Sequence, residues 1–151
     1  MLVVSALMLV PARSETDCWS SPDGRVDQGQ TSIWMERVAR QEPAAMTVIA
    51  GKWATRTVHS DKTMSLITVS YLADGTMRLV LRNCSAETAT DCREVTGTGL
   101  WTAHQVRDET YAMARRFDAG DVRNFCDASD ITLKDANTAV TPEGVVASRI
   151  P

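Results

Sequence analysis

Residues 73–82, Ala73-Asp74-Gly75-Thr76-Met77-Arg78-Leu79-Val80-Leu81-Arg82, carry the pattern that decides the fold. From Thr76 onward Met77, Leu79 and Leu81 share one face, while Thr76, Arg78, Val80 and Arg82 share the other. Side chains in a strand point alternately to opposite faces, so a period of two with one apolar side marks an extended segment buried on that side. Ala73-Asp74-Gly75 ahead of it is a tight turn, where glycine takes positive φ at no steric cost. A hairpin is therefore predicted, with Met64 to Leu72 as its first arm.

The same texture extends in both directions. From Met46 the chain is rich in Thr, Val and Ile, which suits a pleated, half-buried surface. Trp53 to Ser60 reads as a strand and Asp61-Lys62 as a turn. Glu94 to Val106 reads as another strand, with Gly97 and Gly99 as bend or bulge points. Arg107-Asp108-Glu109 turns into Thr110 to Phe117, and Asp118-Ala119-Gly120 turns into Val122 to Cys126. Ile131 to Lys134, Ala139-Val140 and Val145-Val146 supply short closing strands. On the N-terminal side, Thr31 to Glu42 reads as a short helix capped by Ser32, with Ile33, Trp34, Arg37 and Val38 on one face and Pro43 as its stop. Strands at roughly 8–12-residue spacing, joined by hairpin turns, describe an antiparallel meander that forms a barrel or sandwich. The predicted class is mainly β with a short N-terminal helix.

The 151 residues suit one domain, and a hydrophobic share of 44% with 23% charged residues is enough for a core. A formal charge of −3 with scattered arginines excludes a nucleic-acid partner. Leu2 to Val10 is apolar apart from Ser5, Pro11 breaks the run, and Ala12-Arg13-Ser14 resembles a cleavage site. Residues 1–14 thus read as a signal peptide, with a buried N-terminal strand as the alternative. The run falls short of the ~20 residues of a membrane-spanning helix. Residues 15–45 form an N-terminal segment and 46–151 the β domain, in a periplasmic or secreted protein.

An even set of cysteines, Cys18, Cys84, Cys92 and Cys126, in an exported chain reads as two disulfides. The preferred pairing is Cys84 with Cys92, closing the polar loop Ser85 to Asp91, and Cys18 with Cys126, tying the N-terminal segment to the far end of the fold. In a reducing compartment the same residues would be buried thiols. There is no CxxC and no zinc-type histidine spacing, so neither a metal nor another cofactor is expected.

Gly51-Lys52-Trp53, Tyr71-Leu72-Ala73-Asp74-Gly75-Thr76 and Gly97-Thr98-Gly99-Leu100-Trp101 together resemble the lipocalin-like (calycin) barrels of small secreted bacterial proteins. The resemblance spans Gly51 to Asp118. It implies a closing barrel that forms a cup for a small apolar or amphipathic ligand, with a tryptophan near the closed end and an arginine stacked on it. Arg115 is the candidate for that arginine, since it shares a strand face with Tyr111, Met113 and Phe117; a bulge that turns it outward is the alternative. Trp53, Met77, Leu79 and Leu81 on the first strands, with Trp101, Tyr111, Met113 and Arg115 on the later ones, are the predicted pocket lining.

Catalysis finds little support. His59 falls on the face of Trp53 and His104 on the face opposite Trp101, so the two imidazoles do not meet on ideal strands. No Gly-x-Ser-x-Gly, HExxH or phosphate-cradling loop is present. The chain reads as an exported ligand-binding protein rather than an enzyme, with a hydrolase using His59 carried at low weight. The alternative function is an envelope protein-interaction or inhibitor module whose barrel is filled by its own side chains.

Overall fold

A computed structural model describes residues 17–20, 25–85 and 91–151. The predicted signal peptide and most of the loop between Cys84 and Cys92 lie outside the described residues. Two short strands, β1 (Trp19–Ser20) and β2 (Arg25–Val26), pair with each other and lead into helices α1 (Gln28–Ala39) and α2 (Pro43–Ile49). The meander follows as β3 (Gly51–Val58), β4 (Met64–Tyr71), β5 (Thr76–Cys84), β6 (Arg93–Arg107), β7 (Thr110–Gly120), β8 (Cys126–Asp135), β9 (Thr138–Val140) and β10 (Val146–Ile150). Each strand runs antiparallel to the next, and β10 returns to pair with β3, so the sheet closes into an eight-stranded barrel. This is a mainly-β, closed antiparallel barrel, an architecture consistent with the lipocalin-like resemblance. Closure leaves the barrel itself without an edge strand.

The turn before the deciding strand shows why the hairpin forms there. Asp74 Oδ1 accepts from the Thr76 amide at 2.9 Å and from its hydroxyl at 2.6 Å, while Gly75 takes φ +89°. These bonds, the hydroxyl's first, hold the Asp74 carboxyl below its ordinary range. The register then places Met77 opposite Tyr71, Leu79 opposite Val69 and Leu81 opposite Ile67, all turned inward.

Three sequence expectations are corrected. The first helix begins at Gln28, not Thr31, because Asp27 rather than Ser32 caps it, its Oδ1 accepting from the Gln30 amide at 3.0 Å. Nor does Pro43 end that helix, which stops at Ala39 rather than Glu42 with Arg40 as its C-cap. Pro43 instead opens a second helix at its first turn, where a missing N–H costs nothing. Met46 to Ile49 is therefore helical, and strand structure starts at Gly51. Lastly, Asp118-Ala119-Gly120 is not a turn: β7 runs through it to Gly120, and the turn follows, so that β8 begins only at Cys126. The register passes from Thr98↔Ala119 to Gly99↔Phe117, leaving Asp118 as the extra residue of a bulge, where it ion-pairs with Arg116. Gly99 is required opposite this bulge, because a Cβ there would collide with the Arg116 carbonyl.

Two cores result. The inner one fills the lower barrel with Met77, Trp101, Ala103, Tyr111, Met113 and Leu133, and α2 closes that end by inserting Ala45, Met46 and Ile49. Trp101, only 2% exposed, donates its indole N–H to the Leu72 carbonyl at 2.8 Å. The outer core lies between α1 and the outside of β7 and β8, where Trp34 meets Ala114 and the Cys18–Cys126 disulfide. The second disulfide joins Cys84 to Cys92 at the ends of β5 and β6. Among the described residues no helix is long and apolar enough to cross a membrane.

Candidate functional site

Above the filled floor the barrel holds a cavity of about 250 Å³. Its apolar wall comes from alternate positions on successive strands: Ile67 and Val69 of β4, Leu79 of β5, Met113 of β7, Ile131 of β8 and Ala147 of β10. These positions face inward because a closed barrel gives every strand one interior side. Trp53 and Ile49 form the base.

One polar cluster interrupts this wall. Arg115 on β7 lies directly opposite Asp127 on β8. Its guanidinium holds the carboxylate in two-pronged fashion, Nε donating to Oδ1 at 2.8 Å and Nη2 to Oδ2. The third nitrogen, Nη1, points across the barrel to the Tyr71 oxygen at 3.4 Å. Burial works against the charge on Arg115, but Tyr71 and Asp127 outweigh it and hold the guanidinium above its ordinary range. Burial likewise pushes the Tyr71 phenol up, against the pull of Arg115. The cluster therefore joins a charged arginine, held by Asp127, to a neutral phenol. The Arg115 and Asp127 side chains remain 24% and 34% exposed, through the open side of the cavity.

Of the residues expected to line a pocket, Trp53, Leu79, Met113 and Arg115 border this cavity. Met77, Trp101 and Tyr111 lie buried in the floor beneath it, and Leu81 packs against the core outside the lining. The arginine stacked on the basal tryptophan is not Arg115. It is Arg149 of β10, whose guanidinium carbon sits 4.3 Å from the centre of the Trp53 ring. Arg149 lies opposite Trp53 in the β10–β3 ladder and donates to the carbonyls of Val48 at 2.9 Å, Ala136 at 3.0 Å and Ala50. Arg115 is instead drawn into the cavity wall by Asp127, and its guanidinium carbon lies 5.7 Å from the Phe117 ring centre. Asp127, Tyr71, Thr55, Ser129 and Thr141 also border the cavity and were not singled out in the sequence. Asp127 could be found only from the β7–β8 register, which the misplaced turn at residues 118–120 obscured.

At the open rim His59 Nε2 is 2.9 Å from the Ser65 hydroxyl, which donates to Asn83 Oδ1 at 2.9 Å. His104 faces out from β6, away from His59, with a buried Nδ1 that has no partner among the described residues. Among those residues no group of three or more His, Cys, Asp or Glu gathers as a metal site would need.

Comparison with family models, with curated proteins and with solved structures returned no match. The class defined by fold and site is thus an eight-stranded, disulfide-bonded barrel with an internal apolar cavity and one polar cluster.

Proposed function

We propose that the protein is an exported, non-enzymatic binding protein for a small apolar or amphipathic molecule, related in kind to the lipocalin-like barrels of secreted bacterial proteins. The observation that carries this reading is the cavity itself: mostly apolar walls, closed below and open at one side, with the charged groups Arg115 and Asp127 paired in one place and a few hydroxyls besides. Ligand sites characteristically combine a mostly hydrophobic concavity with a few placed polar groups. Two disulfides support an oxidising compartment outside the cytoplasm. Titration with a naphthalene-sized fluorophore is expected to change Trp53 emission with a saturable, one-to-one curve. Ala147→Phe, which projects a ring into the cavity, is expected to abolish that curve while leaving the far-ultraviolet spectrum unchanged. A flat titration of the unmodified protein across dyes of several shapes would defeat the proposal.

A second reading, an envelope protein-interaction module, is favoured by one surface. Lys52 and Arg56 of β3 and Arg78 and Arg82 of β5 all point outward and are exposed, and no Asp or Glu occurs in β3, β4 or β5. On a chain of net charge −3 this is a concentrated basic wall, of the kind that speeds encounter with an acidic partner. On this reading, a complex recovered from the native envelope dissolves as salt is raised and is lost in the Arg78→Glu/Arg82→Glu variant. A complex indifferent to both changes would rule the wall out.

A further inference from the structure

The charge balance within the cavity narrows the ligand class, an inference that rests on the binding reading above. We infer that the natural ligand is an uncharged molecule of about ten non-hydrogen atoms, with an apolar body and a hydrogen-bond acceptor at one end, as in a ketone, ester or amide, that docks against Arg115 and Tyr71. The size follows from the volume. An apolar cavity of about 150 Å³ admits benzene, so 250 Å³ holds a body nearer ten heavy atoms than a long acyl chain.

The polarity follows from what the cluster already satisfies. Asp127 takes up Arg115 Nε and Nη2 and cancels the arginine's charge, so the wall is net neutral. What remains directed toward the cavity is Arg115 Nη1, engaged only at 3.4 Å by the Tyr71 oxygen, and the Tyr71 hydroxyl, for which no acceptor is present among the described residues. Both are donors, and both can converge on one acceptor oxygen. A carboxylate placed there would gain the same two bonds but bring a second negative charge beside Asp127, in a site walled by Ile67, Val69 and Ile131. Desolvating that charge costs several kcal/mol unless a cation is free to receive it, and Arg115 is already paired. An ammonium group would face the positive guanidinium, and the one carboxylate that could balance its charge, Asp127, is already occupied by Arg115. A bare hydrocarbon would leave the Tyr71 O–H without an acceptor. A neutral acceptor avoids all of these penalties. The charge pair thus acts against charged competitors as much as for the correct ligand, which is how discrimination between similar molecules is commonly built.

The test is a matched series measured by calorimetry and by ligand-observed NMR on the disulfide-bonded protein: acetophenone, benzoate, benzylammonium and ethylbenzene, each close to the cavity in size. Acetophenone is expected to bind at least tenfold more tightly than the two ions and measurably more tightly than ethylbenzene. In Asp127→Asn the arginine loses its counter-charge, and benzoate is expected to gain at least tenfold and overtake acetophenone. The series on the unmodified protein stands by itself if that variant does not fold. Benzoate or benzylammonium binding tightest to the unmodified protein would overturn the neutral-ligand inference and leave the binding reading intact, as would ethylbenzene equalling acetophenone. A series in which nothing binds would remove the binding reading, and this inference with it.

Discussion

Replacing Cys18 and Cys126 by alanine is expected to destabilise the protein by about 4–5 kcal/mol, against about 2–3 kcal/mol for the same replacement at Cys84 and Cys92. The difference follows from chain entropy in the unfolded state, where the gain from a cross-link grows with the logarithm of the loop closed. The separations are 108 residues for Cys18–Cys126 and 8 for Cys84–Cys92. The long-range pair also does more in the folded state. Cys18 is fully buried beside Trp34 and Ala114, its amide donates to the Thr31 hydroxyl at 2.9 Å, and its carbonyl accepts from the Asp27 amide at 2.7 Å. The disulfide therefore anchors the start of α1 to the top of β8. Without it α1 keeps its side-chain packing on the outside of the barrel and the Arg37–Asp130 ion pair, and a helix of 12 residues is marginal with so little tertiary support. Urea titrations followed by circular dichroism give the two losses. Trp34 emission should shift to the red at lower urea than the barrel signal in Cys18→Ala/Cys126→Ala alone. Equal losses from the two pairs, or no early Trp34 transition, would show that the N-terminal segment is held by other means.

The parts of the fold that were legible in the sequence are those where one face of a strand is buried and the other is wet. Thr76 to Arg82 is the clearest case, since its period of two leaves no competing reading. The Asp61-Lys62 and Asp74-Gly75 turns follow from local side-chain chemistry that needs no distant partner. What the sequence hid depends on tertiary contact. Pro43-Ala44-Ala45-Met46-Thr47-Val48-Ile49 is short and carries three β-branched residues at its end; it is helical because Met46 and Ile49 plug the barrel and because proline opens it. Asp118-Ala119-Gly120 has turn composition, yet the bulge opposite Gly99 and the Arg116–Asp118 pair carry the strand through it. Arg149 sits in a strand of 5 residues, too short for periodicity to assign a face, so nothing local marks it as Trp53's partner. Arg115 was conspicuous as a charge on an apolar stripe, but the residue that explains it, Asp127, is joined to it only by register.

The site is more readable as physics than as motif. Trp53 and Arg149 close one end, so the cavity begins at the level where aliphatic side chains replace aromatic ones. The single polar cluster spans β4, β7 and β8 and brings together strands far apart in the sequence. Its charges cancel internally, which lets an arginine persist in an apolar wall without unfolding the barrel. The base below is therefore what both the stability and the shape of the cavity depend on.

That dependence gives the second large expectation: Trp53→Ala is expected to lose about 3–5 kcal/mol, the range for removing a large aromatic side chain from a core. Trp53 is 5% exposed, and its indole N–H donates to the Ile49 carbonyl at 2.9 Å at the end of α2. Removing it opens the floor between α2 and the barrel and orphans that carbonyl, while Arg149 loses the ring it covers. Trp53→Phe keeps an apolar ring without the donor and is expected to lose about 2 kcal/mol. Arg149 contributes separately. Its fork reaches the carbonyls of Val48, Ala50 and Ala136 at once, which ties α2, the β8–β9 turn and the last strand together. A lysine ammonium cannot present the same fork, so Arg149→Lys is expected to lose about 1–2 kcal/mol although the charge is kept. Because the two side chains are in direct contact, their losses should not add. A double-mutant cycle over Trp53→Ala and Arg149→Ala is expected to show coupling of about 0.5–2 kcal/mol. Denaturant midpoints of the four proteins of that cycle measure it. A Trp53→Ala loss below about 1 kcal/mol, or strictly additive effects, would mean that this end of the barrel is closed by α2 alone.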